Sequence, residues 1–532
     1  MFLGAHILAI PDMCACSTSV KRSRCMNVIV IMSDTFRRDN LRCYNEKTVV
    51  KTPNLDRFAA ESFVFDRAYC ASFPTVPNRF DIFTGTHCFV KQDWSPLPFQ
   101  EVVISQILAE GGFHTALISD TPHIIQHGFN YERGFAHYLW IRGQENDALY
   151  SFPESVEFPC SADKVRSPAV NLLPHLRNAS HRRYEEDCFA PRTMLEACRW
   201  LEKNYNRGDF FLWIDTFDPH EPWDPPEYYV DMYDPGYIGE RIIYPRYYPI
   251  AHFKKEEINH CQALYHGETT MVDRWIGRVL EQVDYLGLSD STAIIFTSDH
   301  GILFGEHGFM GKSFISNDYF ETIRLYEEII HIPLLIRMPG QGEQKRIRGL
   351  VTSTDLMPTI MEMLDLIDTA RDGGTTLIQT LQCGFTQPEH WSIDAEKLHG
   401  ISFLSMMNGK KNHIHDVIVS SFPLTHGTPR LDKSVITTEE WSLHVSGISS
   451  DPQNELTPPK DLPYSSDPAD YHPGETHAAL FHLPSDTGQI KNVIRENPGI
   501  AEELHSQYVR KLQEWGLSKD RLALNKTLIL EQ

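Results

Sequence analysis

The chain predicts an α/β fold: a mostly parallel central sheet flanked by helices, with a smaller C-terminal α+β subdomain. Three observations carry this. Apolar runs of β-type residues recur along the 532 residues, long helical segments separate them, and three runs end on or next to an acidic residue. Strands apolar throughout are buried on both faces, as in a parallel sheet covered by helices. Ligands of such sheets gather beyond the carboxyl ends of the strands, so the acidic strand ends point to a site.

The first strand is Asn27–Met32, NVIVIM, which runs into Ser33-Asp34. Before it, the short apolar run within residues 1–25 has no basic region ahead of it and is interrupted at Pro11-Asp12, so a disordered N-terminal extension is expected rather than a signal peptide. HTALIS (114–119), FFLWID (210–215), TAIIFTSD (292–299) and HIPLLIRM (331–338) repeat the strand pattern, and helices are expected over 192–204 and 256–286. A helix over 353–366 closes the main α/β domain, expected to span 26–370. A second unit over 390–532 offers strands at 416–421 and 441–447 and a helix at 500–515. The Pro- and Asp-rich stretch 451–475 reads as a surface loop.

Composition excludes several classes. A net charge of -22 disfavours nucleic acid, whose phosphates call for clustered Lys and Arg. No apolar run approaches a membrane span, so no membrane partner is expected. Eleven scattered cysteines without CxxC pairs fit reduced thiols and a cytoplasmic location.

The chemistry-bearing residues lie at strand ends and in the loops after them. In TSDHG, Asp299 and His300 would present a carboxylate oxygen and an imidazole nitrogen together, a mixed donor set for a metal. The same pentapeptide reads equally as a helix cap with an exposed histidine. Asp34 adds a carboxylate at another strand end, while Arg37 and Arg38 read as surface charges, at least one of them solvated. In PTVPNR, Thr75 is an inert hydroxyl unless a base or metal activates it, and by itself only a turn residue. If Pro77-Asn78 opens a helix, Arg79 comes to the same side with a fork of donors suited to a tetrahedral anion. Lys312, in the glycine-rich GEHGFMGK, would neutralise a substrate anion, and His220, in DPHEPWDPP, would donate a proton to a leaving group.

Taken together, TPNLDRFAAESFVFDRAY, TVPNRFDIFTG, DPHEPWDPP, TSDHGILFGEHGFMGK, IPLLIRMPG, TDLMPTI and HGISFLSMMNGK, in this order from about Asn27 to Trp515, resemble the sulfatase family of the alkaline phosphatase superfamily. The resemblance implies a metal-dependent hydrolase of sulfate or phosphate-type esters. It places Asp34, Thr75, Asp299 and His300 at the metal, Thr75 at the nucleophile position, Arg79 as its supporting cation, and His220 and Lys312 against the substrate. Three departures stand out. Sulfatases proper carry Cys or Ser, converted to formylglycine, where this chain has Thr75; Ser33 replaces the first of two paired aspartates; and ISDTPH replaces the usual GKWH region, putting Asp120 near an expected lysine with His123 close by.

These changes weaken the formylglycine mechanism and bring the superfamily's phosphodiesterases and phosphonate hydrolases into view, with a non-catalytic anion- or partner-binding descendant as the third alternative. Two carboxylates, a hydroxyl and one imidazole suit Mg2+, Mn2+ or Ca2+, with Zn2+ as the alternative. Asp215, Asp218, His220 and His123 are the donors on offer for a second metal, but their spacing matches no second site, so one ion is expected. The partner is a small anionic ester, and its organic part is expected to be read by segments 144–186 and 370–394 and by the second unit.

Overall fold

The computed structural model describes residues 26–315, 320–366, 397–425, 433–447 and 477–530. The expected N-terminal extension, the 451–475 loop, the 370–394 segment and the expected domain junction lie outside the described residues.

The central sheet is built from β1 (Asn27–Ser33), β2 (Phe63–Tyr69), β3 (His114–Ser119), β4 (His137–Trp140), β5 (Phe210–Thr216), β6 (Thr292–Thr297), β7 (His331–Ile332), β8 (Leu334–Arg337) and β9 (Lys345–Thr352). Their order is β7-β2-β8-β6-β1-β5-β3-β4, with β9 also pairing β2. The five strands from β6 to β4 are mutually parallel. HIPLLIRM departs from the expected pattern: it breaks at Pro333, which has no N–H to give a ladder, and both halves run antiparallel. Its neighbour β2, made from the FVFDRAY of a quoted motif, was not expected as a strand.

Alternate residues of β1 feed two cores. Val28, Val30 and Met32 pack on one face, Ile29 and Ile31 on the other. The second face is covered by α1 (Pro53–Ala60), α3 (Phe189–Asn204) and the 31-residue α4 (Lys255–Tyr285), through Phe58, Leu201, Met271 and Ile276 among others. Against the first face lies α2 (Thr75–Thr84), all ten of whose residues are buried. It contributes Val76, Phe80 and Phe83, and full burial of such side chains stabilises by about 1.5–3 kcal/mol each. The helix starts at Thr75, two residues before Pro77, so Thr75 itself occupies the first turn.

A second, four-stranded antiparallel sheet in the order β10 (Ile418–Ser421), β11 (Lys433–Thr437), β12 (Trp441–Ser446) and β13 (Ala479–His482) packs against α5 (Pro498–Glu514) through Ile436, Leu443, Leu504 and Tyr508. It grips the chain just ahead of α2. Ser421 N–H donates to Ala71 O at 2.8 Å, Phe73 N–H donates to Ser421 O at 2.9 Å, and Ser420 Oγ donates to Cys70 O. Residues 71–73 are thereby tied to the C-terminal sheet, while α2 is packed on the main one.

Candidate active site

The carboxyl ends of β1, β5 and β6 bring Asp34, Asp215 and Asp299 together, since these strands are parallel neighbours in register. Asp299 Oδ1 accepts the backbone N–H groups of Thr35, at 2.9 Å, and of His300, at 2.8 Å. Asp34 Oδ1 accepts from Thr35 Oγ1, at 2.8 Å. The ligand atoms of Asp34, Asp299 and His300 all lie within 4.8 Å of one another, and among the described residues this is the one such acidic and histidine group.

Two buried carboxylates side by side repel, and the arrangement holds only with positive charge against it. Burial and the charge of Asp299 push the Asp34 carboxyl well up, while Arg79 and Lys312 draw it down. Asp34 Oδ2 is buried and in hydrogen-bond geometry with no group. His300 Nδ1 lies 3.0 Å from Gly301 O, which can only accept, so the ring proton sits there and the Nε2 lone pair is free. Burial holds that ring at a pKa of about 3, hence neutral. Two carboxylates, one with an oxygen that accepts no hydrogen bond, and an unprotonated imidazole nitrogen fit a divalent cation.

Thr75 Oγ1 stands 3.4 Å from His300 Nε2. Its place in the first turn of α2 puts a positive helix end behind it, favourable to any negative charge on the hydroxyl or the group it meets.

Arg79 is turned inward rather than toward a substrate. Its side chain is fully buried; Nε and Nη2 donate to Asp215 at 2.9 and 2.7 Å, and Nη1 donates to Asp299 Oδ2 at 2.7 Å and to Thr75 O at 3.1 Å. Asp34 Oδ2 lies 3.1 Å from the same nitrogen. The guanidinium therefore ties three strand ends to the first turn of α2. The expectation that its fork receives a tetrahedral anion is corrected: the extra carboxylate of Asp215 takes the fork. Asp215 accepts from Arg79, from Thr121 Oγ1 at 2.7 Å and from Trp213 Nε1 at 3.0 Å, and lies outside the Asp34, Asp299 and His300 group.

The other sequence candidates separate as follows. Lys312, almost buried, donates to Thr35 Oγ1 at 3.0 Å. His220 Nδ1 donates to Glu221 O at 2.6 Å, its ring stacks on Phe217, and burial with the charge of Lys312 pushes its pKa well down. Ser33 donates to Asp218 O at 2.7 Å, clear of the carboxylate cluster. Asp218 is occupied by Gln144 and the Ala190 N–H. Asp120 props the chain after β5, accepting from Phe217 N–H, Thr193 and Thr216, and it is Thr121 that reaches the arginine network. Arg37 is buried on Asp39 and Glu306 rather than solvated, whereas Arg38 is half-buried over Tyr44.

Thr75, His123, His220 and Lys312 line a cleft of about 460 Å³, walled by Phe73, Trp94 and Phe422 and by Glu145, Arg166 and Asn171. Segment 144–186 thus does reach the cleft. Sequence reasoning passed over three of its supports. Thr35, held at φ 58°, touches Asp34, Asp299 and Lys312 at once; positive φ in a β-branched residue is costly and marks a local constraint. Tyr265 of α4 donates to Thr35 O at 2.8 Å. Glu145 has no motif around it.

Gly301 shows how closely the cluster is fitted. A Cβ there would overlap the Glu328 carbonyl oxygen. Gly301→Ala is expected to shift the His300 segment and cost about 1–3 kcal/mol, read as a lowered thermal midpoint with weakened metal uptake.

A sulfatase family model matches residues 26–366. Among similar proteins, the uncharacterized sulfatase YidJ of Escherichia coli K12 is 27% identical over 357 residues, covering 64% of this chain and 68% of that one. An arylsulfatase of Clostridium perfringens is 25% identical over 370 residues, covering 63% and 74%. Among solved structures, the phosphonate monoester hydrolase of Agrobacterium radiobacter superposes with a TM-score of 0.64 at 19% identity, over 92% of this chain and 95% of that one, a likeness of fold.

Proposed function

The chain belongs to the sulfatase family of ester-bond hydrolases, within the alkaline phosphatase superfamily, and on that premise we propose that it is a metal-dependent hydrolase of a small anionic ester with the Thr75 hydroxyl as its attacking group. A sulfate ester is the leading substrate class, with a phosphodiester or phosphonate monoester as the second. The observation that carries this is the position of Thr75 Oγ1, in the first turn of a buried helix, 3.4 Å from a bare imidazole nitrogen and open to the cleft.

Asp34 and Asp299 would hold the cation through carboxylate oxygens and His300 through Nε2. When bound, a divalent cation lowers the proton affinity of a hydroxyl beside it and offsets charge on the transferred group. Thr75 attacks sulfur or phosphorus in line as its hydroxyl proton is lost to solvent, and the ester oxygen departs on the opposite side. Lys312 holds a non-bridging oxygen, and Arg79 keeps the carboxylates and the first turn of α2 in register. The leaving oxygen departs with a proton from one of the two cleft histidines. The apolar walls around Thr75 exclude water and strengthen each of these charge interactions.

The ion is proposed to be Mg2+, Mn2+ or Ca2+, since a donor set dominated by oxygen suits hard cations. Elemental analysis is expected to find one divalent ion per chain in wild type, and Asp299→Asn to lose it without unfolding. A substrate panel of aryl sulfate, phosphodiester, phosphonate monoester and phosphate monoester, run on metal-reconstituted protein with Thr75→Ala as control, tests the reaction. Equal, negligible turnover by both proteins alongside retained ligand binding would establish an anion-binding protein instead. A cytoplasmic setting is also proposed, in keeping with free, mostly buried thiols such as Cys70, Cys88 and Cys261. Among the described residues no helix is long and apolar enough to cross a membrane.

A further inference from the structure

The cleft holds a second histidine arrangement that the motifs did not announce. His123 Nε2 lies 2.8 Å from Glu145 Oε2. Glu145 is 3% exposed and held at φ 45°, a conformation costly for a residue with a Cβ. Its other oxygen accepts from the Tyr244 hydroxyl at 2.5 Å and sits 3.8 Å from Arg166. Arg166 is itself paired with Glu221, at 2.8 Å, so Glu145 is not needed to neutralise it and stands nearer to His123. Burial would raise the Glu145 carboxyl, but His123, its hydrogen bond and the charge of Arg166 bring it far below the usual carboxylate range.

The His123 ring is held in one orientation, edge against Trp94 on one side and Phe217 on the other, with centroids 5.4 Å away in both cases. Nε2 stands at ion-pair distance from Glu145 Oε2, an oxygen that accepts no aligned hydrogen bond, and Nδ1 is the ring atom left to exchange a proton with a molecule in the cleft. His220 is placed differently. Its Nδ1 proton is given to Glu221 O, and burial and Lys312 keep the ring neutral, so its Nε2 carries no proton to donate.

We propose that Glu145 is a positioning residue that fixes His123 as the proton donor to the leaving-group oxygen, and that the substrate is therefore an ester of an unactivated alcohol. The proposal rests on the hydrolytic reading above. In the first step the bond from sulfur or phosphorus to the leaving oxygen breaks with its electron pair on oxygen, the Thr75 Oγ bond forms as the Thr75 hydroxyl proton is lost to solvent, and the proton on His123 Nδ1 passes to the departing oxygen as the alcohol. The ring keeps its Nε2 proton on Glu145. In the second step water attacks the Thr75 adduct, its oxygen bonding to sulfur or phosphorus and one of its protons passing to the departing Thr75 oxygen, while Nδ1 regains its proton from solvent. The charged groups around the pair are Arg166, Lys312, Glu221 and Asp93, with His220 beside them. An alkoxide leaving group needs such a donor, while a nitrophenolate does not.

The test compares Glu145→Gln and His123→Asn with wild type on two esters of the same acid, one of an aliphatic alcohol and one of 4-nitrophenol. Loss of a general acid costs about 10²–10⁴-fold: kcat on the alkyl ester is expected to fall in that range in both variants, to stay within roughly threefold on the nitrophenyl ester, and to recover in part in Glu145→Asp. Equal losses on both esters, or none on the alkyl ester, would overturn the donor role. Imidazole ¹⁵N NMR on the full chain, with His123 assigned from His123→Asn, reads the pair without turnover. An Nε2 proton held toward Glu145 in wild type, and shared between the two nitrogens in Glu145→Gln, is expected, and a wild-type ring whose only proton sits on Nδ1 would overturn the pairing. If wild type hydrolyses no ester in the panel, the hydrolytic reading and the donor role fall together, and the NMR result still decides the pairing.

Discussion

Thr75→Ala lowers kcat by about 10⁴-fold or more on whichever ester the panel identifies, because removal of a nucleophile leaves only what binding and charge stabilisation supply. The substitution deletes one hydroxyl and one methyl group from a side chain in the first turn of α2, where the helix is anchored by nine other buried residues. The fold is therefore expected to survive, with a thermal midpoint within a few degrees of wild type. Thr75→Ser keeps the oxygen 3.4 Å from His300 Nε2 and is expected to retain activity within about tenfold. A serine variant as inactive as the alanine variant would sink the hydroxyl mechanism.

Arg79→Met has the second large effect, and it falls on the fold. The guanidinium is fully buried and neutralises Asp34, Asp215 and Asp299 together. Removing one partner of a buried ion cluster leaves uncompensated charge, at about 3–5 kcal/mol. The pH dependence has a definite sign. Burial and Asp299 already raise Asp34 above its ordinary value, and Arg79 is one of the groups drawing it down. Without Arg79 its folded pKa rises further, so the folded state binds more protons than the unfolded one between the two values. Stability of the variant then falls as pH rises through that window. Melting curves from pH 5 to 8 in a chelator are expected to show a steeper loss toward alkaline pH in Arg79→Met than in wild type. Matching slopes would show that Arg79 does not govern the cluster.

The parallel strands β1, β3, β5 and β6 were legible because an all-apolar run has few alternatives to burial on both sides. The acidic ends Asp34, Asp215 and Asp299 were legible as convergent because parallel strands in register share an end. β2 was missed because Asp66 and Arg67 interrupt its apolar run, and the antiparallel turn of Leu334–Arg337 was hidden because periodicity carries no direction. Arg79 was found and its partner was not. Nothing local in Asp215 distinguishes a metal ligand from a counter-ion, and the choice was made by Thr121 and Trp213 arriving from elsewhere.

By itself the sequence determined the α/β class and the family through ordered motifs, and it named Asp34, Thr75, Asp299, His300 and Lys312 as candidates because such residue types stand at strand ends and in the loops after them. Only the tertiary structure decided that Arg79 faces inward, that residues 71–73 are tied to β10, and that His123 meets Glu145 from the far side of β4 in the chain. The physical reason is that ionic and hydrogen-bonding partners are chosen by distance and burial in three dimensions. A sequence records the groups available, and packing alone fixes which of them meet.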